Sequence, residues 1–284
     1  MTSPLLIDTH CHLDAAEFDA DRDALVHAAK VGAGGNEDVP PGADSIRRVG
    51  AGGTALVVPA VERANFGAVA SVCRSYPACF PAYGIHPLYV ERARPEDLDA
   101  LRETLRREPA VAVGEIGLDR YAAPRDDERQ RFYFFAQLEI ARELDLPVIL
   151  HVRKAIEPIL KALRAIRVPG GIAHAYNGSF EQAEAFLRLG FKLGFGGALT
   201  YPGSKRIRAL AARLPLDAIV LETDAPDIPP VWRAGGRTEP ADLEPIAAAL
   251  AELRGMTLTE VAAATTANAL QALPRLRRGF AGCA

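Results

Sequence analysis

The sequence has few cysteines and no long apolar run, and each shortage excludes a class of protein. No stretch of about 18 or more apolar residues occurs, so we expect no transmembrane helix. The four cysteines form no CxxC pair and no regular spacing, so neither a disulfide framework nor a structural zinc site is expected. The N-terminus lacks a basic segment followed by an apolar stretch and a cleavage site. We therefore expect a soluble protein of the cytoplasm.

An excess of positive charge is also lacking. The chain carries 33 basic and 36 acidic residues, a formal net charge of -3, and only five of the basic residues are lysines. Proteins that coat nucleic acid or anionic lipid usually present a broad basic surface, so any contact with DNA must be local. The apolar fraction of 49% over 284 residues suits a large buried core.

Short apolar runs rich in β-branched residues alternate with longer amphipathic stretches. This alternation is typical of repeated βα units around a parallel sheet. Eight runs predict strands, near residues 5–9, 54–60, 80–85, 111–115, 147–151, 171–174, 191–195 and 219–223. Eight strands in this length predict a (β/α)8 TIM barrel, one domain over residues 1–284. The stretch from Pro240 to Leu276 predicts extra C-terminal helices packed against the outside of the barrel.

Residues 31–53 interrupt the pattern. They hold seven glycines and the pair Pro40-Pro41, a composition typical of a flexible insertion, with a helical turn expected at Asp44–Arg48. The segment joins the first helix to the second strand, and such connections lie opposite the catalytic face of a barrel. We therefore expect disorder or a contact surface there. The alternative, a phosphate-binding loop, lacks the required Lys-Ser or Lys-Thr.

Histidines and carboxylates stand where predicted strands stop. The carboxyl ends of barrel strands meet on one face, and imidazole and carboxylate are ligands of divalent metals. Six candidate ligands from five strands are therefore expected to converge: His10, His12, Glu115, His151, His174 and Asp224. His10 and His12 project the same way because successive strand residues alternate between faces. For any one histidine alone, a hydrogen-bonded structural role is the commoner alternative.

Six ligands are too many for one tetrahedral ion and fit two divalent ions, Zn, Mn or Mg, about 3.5–4 Å apart. Glu115 is our choice for the bridge, because the glycines beside it leave room for a metal or water. Two metals polarise a phosphoryl or carbonyl oxygen and lower the pKa of bound water, so no serine or cysteine nucleophile is needed. Asp224 is expected to hold a metal and to accept the proton of the attacking water, and a pure ligand role fits the sequence equally.

Four further residues are candidates for substrate contact: Arg153, His86, Tyr201 and Lys205. Arg153 can hold a phosphate oxygen with its planar fork or lock its loop in an ion pair. His86 can face a substrate phosphate or cap its own loop. Tyr201 and Lys205 follow the seventh strand, where barrels often bind phosphate, although exposed loop positions explain them as well.

Three other residues have weaker claims. Asp119 and Glu222 can orient ligand histidines, or cap a helix or pair with an arginine instead. Trp232, the only tryptophan, can stack a base or cover the apolar underside of its own loop.

Four segments carry a family resemblance: Ile7–Asp14 (IDTHCHLD), Gly114–Asp119 (GEIGLD), Pro147–Glu157 (PVILHVRKAIE) and Leu221–Pro226 (LETDAP). They resemble the motifs of the TatD family of metal-dependent deoxyribonucleases and hydrolases, and the similarity runs from about Leu5 to the last helices. The resemblance implies a TIM-like barrel, a divalent-metal site, and hydrolysis of DNA phosphodiesters, often from a 3′ end. It also implies metal-ligand roles for the six residues above.

Two features depart from the family pattern. Relatives commonly carry His-Cys-Phe-Ser-Gly around the sixth strand, whereas this chain has HAYNG from His174 to Gly178. The ligand is kept and its neighbours differ, which bears on substrate choice. The second departure is the Gly-rich segment 31–53, which has the character of an insertion.

The leading interpretation is a two-metal deoxyribonuclease or phosphodiesterase that acts on DNA ends or nucleotides, with no membrane and no stable protein partner implied. One alternative is a metal-dependent hydrolase of a small-molecule ester or amide. Related barrel amidohydrolases often bridge their metals with a carboxylated lysine, and Glu115 at that strand end favours the nuclease-like branch. The second alternative, metal binding without turnover, predicts a missing ligand, and none is missing. The acidic balance favours short substrates or frayed ends.

Overall fold

The computed structural model describes residues 4–31, 52–124 and 126–279. Eight parallel strands follow one another in chain order around a single sheet. The strands are β1 (Leu6–Asp8), β2 (Thr54–Pro59), β3 (Cys79–Tyr83), β4 (Ala112–Asp119), β5 (Val148–Arg153), β6 (Gly171–Ala173), β7 (Phe191–Phe195) and β8 (Ile219–Leu221). The N–H of Thr9 donates to the carbonyl of Leu221 at 3.0 Å, so β8 returns to β1. The predicted (β/α)8 barrel is confirmed, as a nearly closed ring.

A helix follows each of the first seven strands, and two follow the eighth. They are α1 (Arg22–Ala28), α2 (Phe66–Ser75), α3 (Glu96–Arg107), α4 (Asp127–Glu143), α5 (Ile156–Ala165), α6 (Phe180–Arg188), α7 (Lys205–Arg213), α8 (Leu243–Arg254) and α9 (Leu258–Ala272). A capping box begins α6. Ser179 Oγ accepts from the N–H of Gln182 at 3.2 Å, and Gln182 Oε1 accepts from the N–H of Ser179 at 3.0 Å.

Alternate strand residues face opposite sides, which divides the core into two layers. One buried cluster combines Ile7, Val57, Ile149, Ile172 and Val220 from strands all around the ring, so these side chains fill the barrel interior. Their chain neighbours, such as Leu6, Leu56 and Leu150, belong to a second cluster with the helices.

The extra C-terminal helices are present, and α8 and α9 lie beside β1 and β8. They are separate helices, because Gly255 ends α8 in a left-handed conformation (φ 64°) and Thr257 caps α9. The chain just after α9 also reaches the barrel interior, in addition to the predicted packing against the outside. Leu273 and Leu276, just after α9, join the interior apolar cluster and close one end of the barrel.

The prediction that the fourth strand ends at Glu115 is wrong. β4 continues to Asp119, which pairs with Arg153 on β5, and the register shifts between Val113 and Ile116. Glu115 therefore lies at an irregularity within the strand. Gly114 allows the two strands to approach there, since a Cβ on it would lie 2.7 Å from the Cβ of Ile149.

Most of the segment 31–53, including the helical turn expected at Asp44–Arg48, lies outside the described residues. At its edges, Val31 forms an isolated parallel bridge with Thr54, and the carbonyl of Gly53 accepts from the N–H of Leu6 at 3.2 Å. Among the described helices, none combines the length and apolar character needed to cross a membrane.

Candidate metal centre

A cavity of about 1420 Å³ opens at the carboxyl ends of the strands. The loops after all eight strands contribute to its lining. Five of the six sequence-predicted ligands line it: His12, Glu115, His151, His174 and Asp224. The sixth, His10, is buried beside them with no exposed surface. The expected convergence of these groups on one face is therefore observed.

Three of these residues form a first donor group. His10 Nε2 lies 3.2 Å from His12 Nε2 and 3.2 Å from Glu115 Oε2, and His12 Nε2 lies 3.8 Å from the same oxygen. One ligand atom from each of the three lies within 4.8 Å of the others, an arrangement that can hold a metal ion.

A second donor group uses the other oxygen of Glu115. His151 Nδ1 lies 2.9 Å from Glu115 Oε1, and His86 Nε2 lies 3.5 Å from it. His86 thus belongs to the cluster, whereas sequence reasoning considered it only for substrate contact or for capping. Its ring does cap its own loop as well, because Nδ1 accepts from the N–H of Leu88 at 3.1 Å.

A third donor group combines His10, His174 and Asp224. His10 Nε2 lies 3.6 Å from Asp224 Oδ1, and His174 Nε2 lies 3.5 Å from Asp224 Oδ2. The rings of His10 and His174 are stacked with their centroids 3.8 Å apart. His10 and Glu115 each occur in two of the three groups, so the groups form one continuous cluster.

Two carboxylates, those of Asp119 and Glu222, contact histidines of the cluster. Orienting these histidines is one of the roles that the sequence suggested for them. Asp119 Oδ2 lies 2.9 Å from His151 Nε2, and Glu222 Oε1 lies 3.1 Å from His174 Nδ1. Glu222 Oε1 also accepts from the N–H of Ala175 at 2.7 Å. Gly194 leaves room for this carboxylate, since a Cβ there would lie 2.1 Å from Glu222 Oε2. These contacts determine which ring nitrogen of each histidine faces the cavity.

Asp8 is a functional candidate that sequence reasoning missed. It is fully buried, and its carboxylate accepts from the N–H of His10 at 3.1 Å, the N–H of Thr223 at 3.0 Å and the hydroxyl of Thr223 at 2.6 Å. Burial raises the pKa of Asp8 to about 7 despite these hydrogen bonds. Asp8 thereby ties β1 to β8 beside His10 and Asp224. An acid inside an apolar strand run was the signal that could have revealed it.

The pKa values of Glu115, His10 and His86 are all shifted by their surroundings. Burial alone would raise the pKa of Glu115, but its interactions with His86 and His10, including a hydrogen bond with His10, outweigh burial and hold it well below its ordinary value. Burial lowers the pKa of His10, and it lowers that of His86 to about 4. An ionised carboxylate beside neutral imidazoles is the state in which such residues bind metals.

The other two histidines shift the opposite way. Burial acts to lower the pKa of His151, but hydrogen bonds with Asp119 and Glu115 outweigh burial and raise it. Burial also opposes the charged form of His174, and the charges of Glu222 and Asp224 raise its pKa well above the ordinary value. Asp224 has a lowered pKa, since His174 outweighs the effect of its burial. These rings face carboxylates that favour a positive charge at this position, whether proton or metal.

The distance between two imidazole nitrogens bears on whether the residues of the cluster suit a metal ion. The Nε2 atoms of His10 and His12 lie 3.2 Å apart, and two neutral rings can satisfy both atoms only if one donates to the other. Glu222 Oε2 and His10 Nδ1, both buried, have no hydrogen-bond partner within the described part of the chain. Imidazole and carboxylate donors in this density match the preferences of borderline divalent ions. The donor set therefore fits divalent metal.

The four residues predicted to contact substrate fall into two pairs. Arg153 and His86 line the cavity. Tyr201 and Lys205 are not among its lining residues. The Tyr201 hydroxyl donates to the carbonyl of Pro229 at 3.0 Å, and Lys205 is exposed at the start of α7. Of the two explanations that the sequence offered for Tyr201 and Lys205, loop positions away from the substrate fit the cavity lining better than phosphate contact.

Trp232 does not line the cavity either. Its indole N–H donates to Asp242 Oδ1 at 2.8 Å, although the side chain is partly exposed. The bond holds the loop after β8 to the start of α8.

Comparison with known proteins identifies the family. The family model described as TatD related DNase matches residues 7–274. The metal-dependent hydrolase YjjV of Escherichia coli (strain K12) is 38% identical over 266 residues, which cover 92% of this chain and 95% of that protein. The human deoxyribonuclease TATDN3 is 30% identical over 287 residues, 96% of each chain. The crystal structure of the Escherichia coli TatD homolog YjjV gives a TM-score of 0.84 at 36% identity, covering 95% of this chain and 98% of that one. The chain therefore belongs to the family of TatD-related DNases.

Proposed function

We propose that this protein is a divalent-metal-dependent hydrolase that cleaves phosphodiester bonds at DNA ends or in short nucleotides, with two metal ions at the cluster. One observation carries the proposal. The two oxygens of Glu115 face different sets of imidazoles, Oε2 towards His10 and His12 and Oε1 towards His151 and His86. A carboxylate in that position is suited to bridging two neighbouring ions.

Named residues would hold the two ions. His10, His12 and Asp224 surround one side of Glu115, and His151 and His86 surround the other. His174 lies with His10 and Asp224. His86 is better suited to this role than to substrate contact, because Nδ1 is engaged by its own loop and only Nε2 faces Glu115. Imidazole donors favour Zn over Mg or Mn.

Metals bound there supply a Lewis acid and a water of lowered pKa. The protein's own groups complete the reaction. Asp224 is 9% exposed and faces the cavity, so its carboxylate can accept the proton of the attacking water. Arg153 lines the cavity two residues after His151, where its guanidinium can bind a phosphate oxygen of the substrate. The names of the matching family model and of the human relative support DNA as the substrate class.

The test is a metal-reconstituted assay. Protein stripped with a chelator is reloaded with Zn, Mn or Mg, and bound metal is counted by mass spectrometry. Hydrolysis is followed on single-stranded DNA labelled at its 3′ or 5′ end, on a dinucleotide, on a simple ester and on an amide. We expect two metal equivalents per chain, and cleavage of the DNA and dinucleotide only in the loaded protein.

Variants tie the activity to the bridge. Glu115→Ala should remove metal from both positions and reduce hydrolysis by roughly 1000-fold or more, because both ions lose a shared ligand. The matched control is Glu103→Ala, an exposed glutamate on α3, which should behave as the wild type. Undiminished hydrolysis by Glu115→Ala would contradict the mechanism. Turnover of the ester or amide without cleavage of DNA would replace the substrate class with small molecules.

A further inference from the structure

The charges that line the cavity are divided between its two sides. Arg120, Arg153, Lys154 and Arg206 line the side formed by the loops after β4, β5 and β7. The side formed by the loops after β1, β2 and β8 is acidic, with Asp14, Glu17, Glu62 and Asp227. A polyanion that reaches the cluster would be attracted to the first side and repelled from the second.

The basic side is not neutralised by its own carboxylates. Within residues 4–31, 52–124 and 126–279, no carboxylate oxygen lies within 4.0 Å of the charged nitrogens of its four basic residues. Glu157, which also lines the cavity there, accepts instead from Gln182 at 2.9 Å. These cations are therefore available to an anion from outside.

Two of the cations lie over an exposed aromatic ring. The Tyr121 side chain is 56% exposed, and the Arg153 guanidinium carbon lies 4.3 Å from its ring centroid. Lys154 Nζ lies 4.7 Å from the same centroid. Because both groups lie over the ring, Tyr121 positions cations here and is not open to stack a base.

Lys154 also has an unusual backbone. Its φ is 53°, in the left-handed region that residues with a Cβ seldom adopt. This conformation directs the side chain away from the continuation of β5, and Nζ ends above Tyr121 at the cavity mouth. A disfavoured conformation at a site rim is a reason to look for a functional role.

The basic side is attached to the metal cluster through Asp119. Its Oδ1 accepts from the N–H groups of Tyr121 at 2.7 Å and Ala122 at 2.9 Å, while its Oδ2 lies 2.9 Å from His151 Nε2. The backbone at Tyr121 is thus tied to the carboxylate that contacts His151. On the same side of the cavity, Arg206 Nε donates to Asn177 Oδ1 at 2.9 Å, which orients the Arg206 guanidinium.

From this geometry we propose that Tyr121, Arg120, Lys154 and Arg206, together with Arg153, form a phosphate subsite that holds the backbone of a single-stranded DNA segment adjoining the bond to be cut. We call these five residues the basic rim. The proposal rests on the proposed function and deepens it. The strand lies across the loops after β4, β5 and β7, and the acidic side stays free of phosphate. The rim supplies the local attraction to DNA that the net charge of -3 does not.

The test measures substrates of different length. With the metal-loaded enzyme, Lys154→Glu should raise KM for a ten-nucleotide single strand roughly tenfold, and at least five times more than for a dinucleotide, which reaches past the cluster by one phosphate at most. The matched control is Lys161→Glu, the same charge reversal at an exposed position of α5 outside the cavity lining, which should leave both KM values unchanged.

Further variants separate binding from folding. Lys154→Gly suits the left-handed backbone, so its melting temperature should stay the same or rise while KM for the strand still increases. Tyr121→Phe keeps the ring and should keep the wild-type KM, whereas Tyr121→Leu should raise it roughly two- to fivefold through loss of the cation–π contacts. A structural role alone would move melting temperature and KM together.

Direct binding keeps this test independent of turnover. Affinity for an uncleavable phosphorothioate strand is measured by anisotropy at several salt concentrations, and removing the Lys154 charge should lower the salt slope by about 0.7. Equal effects of Lys154→Glu and Lys161→Glu would overturn the proposal, as would full displacement of the strand by inorganic phosphate at matched phosphate concentration. Strand binding at the rim without DNA cleavage would contradict the proposed function and leave the rim standing.

Discussion

The two ends of the barrel interior differ sharply although the same strands build both. Towards the amino ends of the strands, the inward side chains are apolar, for example Ile149, Ile172 and Val220, and Leu273 and Leu276 close that end. Two residues further along the same strands, the inward positions are His151, His174 and Glu222. The strand period of two places an apolar layer directly beneath a polar one.

Each end of the barrel interior is stabilised by a different kind of interaction. The apolar layer is held by packing, which is non-directional and tolerates related shapes. The polar layer consists of buried groups that would be costly without partners, and its histidines lie against carboxylates, as His151 lies against Asp119. Mutations should therefore cost stability at one end and function at the other.

The largest effect on stability is expected at the apolar end. Ile172→Ala leaves a cavity in a fully buried layer and should reduce the free energy of unfolding by about 2–5 kcal/mol, measured by urea denaturation. Phe132→Ala is the control, because that side chain on α4 is largely exposed and should cost under about 1 kcal/mol. Similar losses in the two variants would deny that packing supports this end.

At the polar end, a single added methyl group is expected to reduce function strongly while costing little stability. Gly194→Ala would place a Cβ 2.1 Å from Glu222 Oε2, so the carboxylate must move away from His174. We expect kcat/KM to fall about 100-fold with a smaller loss of stability than in Ile172→Ala. Gly67→Ala on α2, where a Cβ meets nothing within 4 Å, should keep full activity. Wild-type activity in Gly194→Ala would show that the Glu222 contact is dispensable.

A smaller change at the same contact should act on metal affinity. Glu222→Gln keeps the volume and removes the charge beside His174 Nδ1, so metal binding should weaken roughly 10- to 100-fold in a chelator competition assay. Glu184→Gln, an exposed glutamate on α6, serves as the matched control. Unchanged affinity in Glu222→Gln would assign its contact to folding alone.

The smallest effect on stability is expected at Lys192, a charged residue of β7. Lys192 lies between two buried residues of β7, and its Nζ donates to the carbonyl of Asp217 at 2.6 Å. Lys192→Met keeps the apolar stem and loses this bond, so stability at neutral pH should change by under about 1 kcal/mol.

The pH dependence of that difference has a defined sign. Burial lowers the pKa of Lys192 below its ordinary 10.5, so the folded state loses this proton at a lower pH than the unfolded state. The stability of the wild type relative to Lys192→Met should therefore rise as pH increases through the lowered pKa towards 10.5, in paired denaturation curves. A relative stability that falls over this range would contradict the direction of the shift.

Much of the fold was predictable because strand and helix signals are local. All eight predicted runs correspond to observed strands, and the Ser179–Gln182 capping box that begins α6 is a signal within four consecutive residues. The predicted run at residues 111–115 stopped short of the end of β4 at Asp119. In the structure, Gly114 and Gly117 allow close approach to β5, a pairing between residues more than 30 positions apart. Such pairing leaves no local periodicity to detect.

The candidate site divides in the same way. Placement at strand ends predicted which histidines and carboxylates would meet, because parallel strands bring their carboxyl ends together. It did not place His86 in the cluster, since that depends on how the loop after β3 turns its ring. It also made Tyr201 a candidate for substrate contact, whereas the Tyr201 hydroxyl donates to the carbonyl of Pro229 in the loop after β8.

The amino-acid sequence by itself determined the alternation of strands and helices and the residue types at the strand ends, because periodicity and capping act over a few neighbouring positions. Only the tertiary structure decided that the two oxygens of Glu115 face separate groups of imidazoles and that Lys154 and Arg153 share the ring of Tyr121. Those relations depend on strand register and loop conformation, which arise from contacts between segments far apart in the chain.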